Sequence, residues 1–363
     1  MILAEIRARR ERFAFTPGEV GRLARLLPQR VLDIEAGAPC TVHELTALGD
    51  ALAFDPAGFV RGERLDDARR SAARFRSPEG VRELPPTDAR LLARAAELAR
   101  IGAYLADRLG VPPSRIHDLR ELRRVGSENE PWREGYELGE AVRLRLTPER
   151  GPLVSVQAFL EELGIHVAFV EFAAAGIHAA SIREPGSVPI ILLNTRARRV
   201  QNALTRRPIL AHELCHLLYD GGEQDLLTVV SRREAGMALE QRAGGFAPSF
   251  IAPPPWVKVA KGSSPLALVR QIALDWGFTY EGAAWHAKNL GHVSVAKARD
   301  LTQQRGPRET NFEPLVVRQP VPDLHLDVEA SRLAKGLISD WTARAFNEGL
   351  ISAGRAREIL AFQ

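Results

Sequence analysis

Apolar positions along this chain recur at two different periods, and the switch between them divides it. From residue 88 to 109, Leu91, Leu92, Ala95, Leu98, Ile101 and Leu105 fall near one face of a 3.6-residue repeat, predicting one long helix. Pro85-Pro86 and Pro112-Pro113 act as breakers on either side of it. Residues 1–60 read as several short helices separated by tight turns. Past Pro152 the texture changes: 153–163 is amphipathic and stops before Gly164. Segments 165–172, 176–182 and 188–194 have strand character and are parted by Gly and Pro, which predicts a small sheet. A helix is expected over 208–219, ended by Gly221-Gly222, and another over about 232–243. The run Pro253-Pro254-Pro255 marks a boundary, and 263–363 returns to short helices and turns.

Composition narrows the class without naming a function. The 363 residues are 45% hydrophobic and 26% charged, the profile of a soluble globular protein long enough for two to four domains. No run of 18 apolar residues appears, so no transmembrane helix is expected. The opening MILAEIRARRERF reads as a short basic amphipathic helix, without the apolar run and cleavage site of a secretory signal. Two cysteines, Cys40 and Cys215, are too few for a disulfide framework, and a cytoplasmic location follows as the simplest expectation. The charge of +4 is mildly basic, and of 49 basic residues only five are lysine. Arginine suits phosphate oxygens, but GC-rich coding produces the same bias, so charge alone assigns no nucleic-acid partner.

The segment RPILAHELCHLLYDGG carries H-E-x-x-H on an expected helix. Residues four apart share a helical face, so His212 and His216 can present ring nitrogens to one ion. Glu213 lies beside that face, placed to act as general base on water. A catalytic zinc needs a third protein ligand, and the next helix offers Glu240, with Glu234 competing. His286 and His292 could make a different type of site, beyond the proline break. Cys215, His178 and Tyr219 lie near the motif in sequence or on the preceding strand. Core packing leads over a redox-sensing or metal-competing thiolate for Cys215, a packed or surface position leads over an oxyanion-stabilising one for His178, and Tyr219 lies two turns from His212.

From about Pro152 to Pro254 the chain resembles the ImmA/IrrE family of metallopeptidases. The matching motifs, in order, are LEELGIHVAFVEF, HAASI, PIILLNTR, AHELCH and EQRAGGFA. The resemblance implies that Glu240, which opens the last motif, is the third zinc ligand. Gly244 stands where the family usually has Asn or Asp, and Cys215 where a small residue is common.

The first sixty residues resemble an Xre/Cro-type helix-turn-helix, through FTPGEVGRLARLLPQRVLDIEAG with Ile34, Glu35 and Gly37, then TVHELTALGDALAFDPAGFVRGE. Its recognition helix would hold Pro28, Gln29, Arg30 and Asp33, with Gln29 and Arg30 as the possible DNA contacts. Pro17 replaces the usual Gln, and Arg25 the usual turn Gly. Near the other end, LALVRQIALDWGFTYEGAAWHAKNLGHVS has the look of a second helix-turn-helix around Tyr280, Trp285 and His286. Trp285 there reads as a core residue ahead of a base-stacking one.

The expected architecture is α+β and mostly α. A helix-turn-helix occupies 1–62, a helical connector 63–148, a compact zincin-like metallopeptidase domain 149–262, and a helical region 263–363. The expected function is a zinc-dependent, site-specific endopeptidase. By resemblance, its substrate is a transcriptional repressor cut in a stress or DNA-damage response. Duplex DNA at the N-terminal module and single-stranded DNA as an activator are expected partners, a membrane is not, and a dimer is an open option. The competing reading is a DNA-binding regulator or antitoxin whose peptidase-like domain senses a ligand without hydrolysis. A third, a structural adaptor, leaves the His-Glu-His constellation without a use.

Overall fold

The computed structural model describes residues 4–12, 15–60 except 53 and 55, 85–122 except 113, 117, 118 and 120, 130–147, 151–220 except 174, 175, 184 and 185, 227–231, 238–303 and 336–361. The architecture is mostly helical with one small sheet. Helices α1 to α5 are Ala4–Arg12, Pro17–Ala24, Pro28–Glu35, Val42–Leu52 and Pro56–Val60. The long α6 is Pro86–Arg108, α7 is Pro131–Leu146 and α8 is Val156–Glu162. Strands β1 (His166–Val170), β2 (Ile177–Ile182) and β3 (Ile190–Asn194) follow, then α9 (Arg198–Gln201) and α10 (Ala203–Tyr219). Strand β4 (Leu227–Ser231) and α11 (Ala238–Ile251) come next. The chain continues as α12 (Pro265–Trp276), α13 (Tyr280–Asn289), α14 (Val295–Gln303), α15 (Leu337–Asn347) and α16 (Ala353–Leu360). Among the described residues no helix is long and apolar enough to cross a membrane.

The sheet has four strands where the sequence suggested three, in the order β1-β3-β2-β4. β1 runs parallel to β3, while β2 is antiparallel to both β3 and β4. Because side chains alternate across a strand, each face meets a different layer. Val167, Ala179, Ile191 and Leu193 join the core beneath α10 and α11. Ala168, Val170, Ala180, Ile182, Ile190 and Leu192 join a second core with α1 to α6, Ile338 and Ile359. Both faces are covered, which is why these strands read as nearly continuous apolar runs.

Two element boundaries differ from the sequence reading. Helix α10 starts five residues before Pro208, because the Asn202 side chain accepts from the backbone amides of Leu204 and Thr205 and caps an earlier start. Helix α11 continues through Pro248 to Ile251, past the expected end at 243. The carbonyl left without a donor by Pro248 is that of Gly244, which is exposed to solvent. Residues 232–237, where that helix was expected to begin, lie outside the described residues.

The core beneath the sheet takes residues from both sides of the expected 148/149 and 262/263 boundaries. Leu138, Val142 and Leu146 of α7 and Ile272, Trp276, Ala283 and Ala287 of α12 and α13 belong to it. The α7–α11 contact is made by glycines. A Cβ at Gly139 would lie 2.3 Å from the Phe246 carbonyl oxygen, so only hydrogen lets these backbones approach.

The N-terminal helices pack as a small bundle. Thr16 and Glu19 form a reciprocal capping box at α2. Arg25 adopts φ 55°, the left-handed conformation that glycine takes at little cost, at the turn before α3. Glu35 is buried and receives two hydrogen bonds from Arg10, at 2.6 and 2.9 Å, so the glutamate of the I-E-x-G stretch holds α1 onto α3.

Candidate metal centre

One turn of α10 and the first turn of α11 meet below the sheet, and their polar side chains converge. The Nε2 atoms of His212 and His216 are 3.0 Å apart. Glu240 straddles them, with one carboxylate oxygen 3.2 Å from His212 Nε2 and the other 3.3 Å from His216 Nε2. These three residues are the group among the described residues that could hold a metal ion. Glu234 lies outside the described residues. Burial opposes charge on Glu240, but hydrogen bonds and positive charge from both histidines outweigh it and hold the carboxyl at about 2.

Glu213 sits beside the triad and is only 1% exposed. Burial pushes its carboxyl above the usual range, against the pull of His216, His212 and the nearby Ser181 hydroxyl. Its Oε2 is buried and has no hydrogen-bond partner, an arrangement that costs free energy unless something else occupies the space it faces.

Behind the triad is a second set of charges that sequence reading missed. Asp220 caps α10, its side chain fully buried, and its Oδ2 lies 2.5 Å from His216 Nδ1. Arg242 on α11 pairs with the other oxygen of Asp220 and reaches toward Glu134 of α7 at 3.6 Å. The available signal was spacing: Asp220 follows His216 by four residues, as His216 follows His212.

In front of the triad lies a cleft of about 470 Å³. Pro208 and Ile209 of α10, Pro248 of α11, and Phe278 and Trp285 near and on α13 form its apolar walls, with Arg199 and Glu281 at its polar positions. His178 also lines it. A register shift in the β2–β4 ladder between Ile177 and Ala179 explains that direction: Ile177 and Ala180 share the upper face, so His178 turns to the lower one.

The other sequence candidates are placed elsewhere. Tyr219 donates to the Leu119 carbonyl at 3.2 Å, away from the triad, and Cys215 is fully buried in the core. His286 and His292 form no shared site. The ring of His286 lies 2.9 Å from the Tyr136 hydroxyl and 3.0 Å from the Ala252 carbonyl, so both nitrogens are engaged, and His292 is exposed. On α3, Gln29 bonds Asp33 at 2.9 Å. Arg30 gives two bonds to Glu44, at 2.6 and 2.9 Å, and one to the Pro39 carbonyl, so its guanidinium serves the module's own packing. Leu27 and Val42 near α3 are 75% and 81% exposed, and Arg22 and Arg25 are exposed just before it. No family model, curated protein or solved structure matches the chain.

Proposed function

We propose that this chain is a zinc-dependent endopeptidase with a zincin-like catalytic fold, of the ImmA/IrrE kind that its motifs resemble. The observation that carries the proposal is the convergence of His212, His216 and Glu240 beside a buried Glu213. Two imidazoles and a carboxylate are a donor set that suits zinc and leaves a fourth position open. Tetrahedral ligands about 2.0–2.1 Å from zinc are separated by about 3.3 Å, close to the 3.0, 3.2 and 3.3 Å found between these donor atoms. The partnerless Oε2 of Glu213 fits the same reading, since a water molecule in the open position would satisfy it.

When bound, zinc lowers the pKa of water and polarises a carbonyl. The protein's own residues supply the rest. Glu213 takes the proton of the attacking water on Oε2 and can return it to the leaving amine, and the burial that raises its carboxyl above the usual range favours holding that proton between the two transfers. The apolar walls of Ile209, Pro248 and Trp285 exclude water and receive a substrate side chain. Resemblance supports a transcriptional repressor as the substrate, with DNA as a regulatory partner.

A regulator that senses a ligand without hydrolysis would have no chemical use for Glu213, which coordinates nothing. Glu213→Gln keeps shape and burial and separates the two readings. The variant should bind zinc as the wild type does and cleave at least about a hundredfold more slowly. The assay is mass spectrometry of a proteome-derived peptide library and of repressor proteins incubated with each zinc-loaded form. Equal rates, or no cleavage by a zinc-loaded wild type, refute the peptidase.

A further inference from the structure

We infer that Asp220 and Arg242 are positioning residues for the metal centre, forming a buried charge chain, His216–Asp220–Arg242–Glu134, that sets the ring and tautomer of His216 and ties α11 to α10. The inference rests on the metal-site reading proposed above and goes beyond it by assigning roles to residues that are neither proposed ligands nor the proposed base.

The geometry argues in three steps. First, a histidine can direct its Nε2 lone pair at an ion only if Nδ1 carries the proton. A carboxylate oxygen 2.5 Å from Nδ1 of His216 fixes that tautomer and strengthens the ring as a donor. Second, an isolated carboxylate with no solvent exposure is costly, and Arg242, itself only 5% exposed, balances it. Third, Arg242 stands two residues after Glu240 on α11. Its pairing with the C-terminal end of α10 therefore fixes the helix that carries the third ligand against the helix that carries the other two. Glu134 adds α7 at 3.6 Å, which extends the support into the stretch expected to be a connector.

The chain of contacts makes an asymmetric prediction. Asp220 touches His216, and no such carboxylate backs His212 among the described hydrogen bonds and ion pairs. Loss of Asp220 should therefore act through one ligand only. The test measures zinc affinity of the full-length protein by competition with a chromogenic chelator. Asp220→Asn should weaken zinc binding about 10–100-fold. In a His212→Ala background the loss should persist, whereas in a His216→Ala background it should shrink to less than about threefold. Asp220→Glu, which keeps the charge, should recover part of the affinity. If Asp220→Asn fails to fold, Arg242→Lys repeats the test, because it keeps the charge and loses the guanidinium fork. An equal loss in both backgrounds, or none in the wild type, overturns the positioning role. A folded wild type that binds no zinc overturns the metal reading itself, a different outcome from the first.

Discussion

Adjacent glycines on α11 should respond to the same substitution with opposite signs. A Cβ on Gly245 would lie 2.0 Å from the backbone carbonyl oxygen of Trp132, against the 3.0 Å that such contacts essentially never breach. The obstacle is backbone at the start of α7 and cannot rotate away, so the two helices would have to part by about 1 Å. Overpacking costs about 1–3 kcal/mol, and an obstacle of this kind belongs at the upper end. The helix preference for alanine over glycine returns about 1 kcal/mol, so Gly245→Ala should lose about 2 kcal/mol or more. A Cβ on Gly244 meets nothing within 4 Å. Gly244→Ala therefore keeps the helix gain, about 0.5–1 kcal/mol. The two variants should differ in unfolding temperature by at least about 5 °C in differential scanning calorimetry. Because α11 carries Glu240, Gly245→Ala should also release zinc more readily, while Gly244→Ala retains it. Equal unfolding temperatures for the two, or a stabilised Gly245→Ala, would refute the close-packing argument.

Two further predictions follow from the same core. A chain beginning at residue 149 lacks α7, whose Leu138, Val142 and Leu146 are buried in the core shared with α10 and α11; it should fail to fold, and a soluble, zinc-binding fragment would show α7 to be dispensable. His286 provides a pH dependence: burial holds its pKa down to about 4 against a smaller upward pull from the Ala252 carbonyl, and His292 adds to the lowering. The unfolded chain binds this proton first as pH falls from 6.5 to 4, so stability is complete above 6.5 and drops by about 3 kcal/mol across that window. His286→Gln can still donate to Ala252 and accept from Tyr136, and should flatten this part of the urea-denaturation pH profile; an unchanged profile would remove His286 as the cause.

What could be read from the sequence follows from the range of the interactions involved. Helix α6 was legible because six apolar residues repeat on one face, and strands β1 to β3 because burial on both sides leaves them apolar throughout. His212, His216 and Glu213 were legible because a single helical turn fixes their relative placement before any tertiary contact forms. Strand β4 was missed: its sequence LTVVS mixes polar Thr228 and Ser231 with the apolar residues and lacks a run such as the IILL of β3. The N-terminal limit of α10 was misread because Pro208 looked like a start, while a side-chain cap six residues earlier decided the matter.

The larger omission concerns what surrounds the site, and it has one physical origin. Metal ligands on a helix are set by local spacing, but the groups that orient and enclose them are set by which elements pack together. Asp220 is local and was still overlooked, because a carboxylate after a helix reads as a solvated end until Arg242 is placed against it. Glu134 lies more than a hundred residues before Arg242, and Trp285 and Phe278 come from beyond the proline run, yet all border the same centre. Glycines at 135, 139 and 245 made this assembly possible by letting α7 and α11 touch at the backbone. In the sequence those glycines resemble helix breakers, the opposite of their effect. The expected 149–262 unit thus holds the chemistry of the site, but its support comes from α7 on one side and its cleft wall from α13 on the other. A substrate held in that cleft would touch α13 and the ligand-bearing helices together, so changes in the C-terminal region should alter which peptides are cut before they alter how zinc is held.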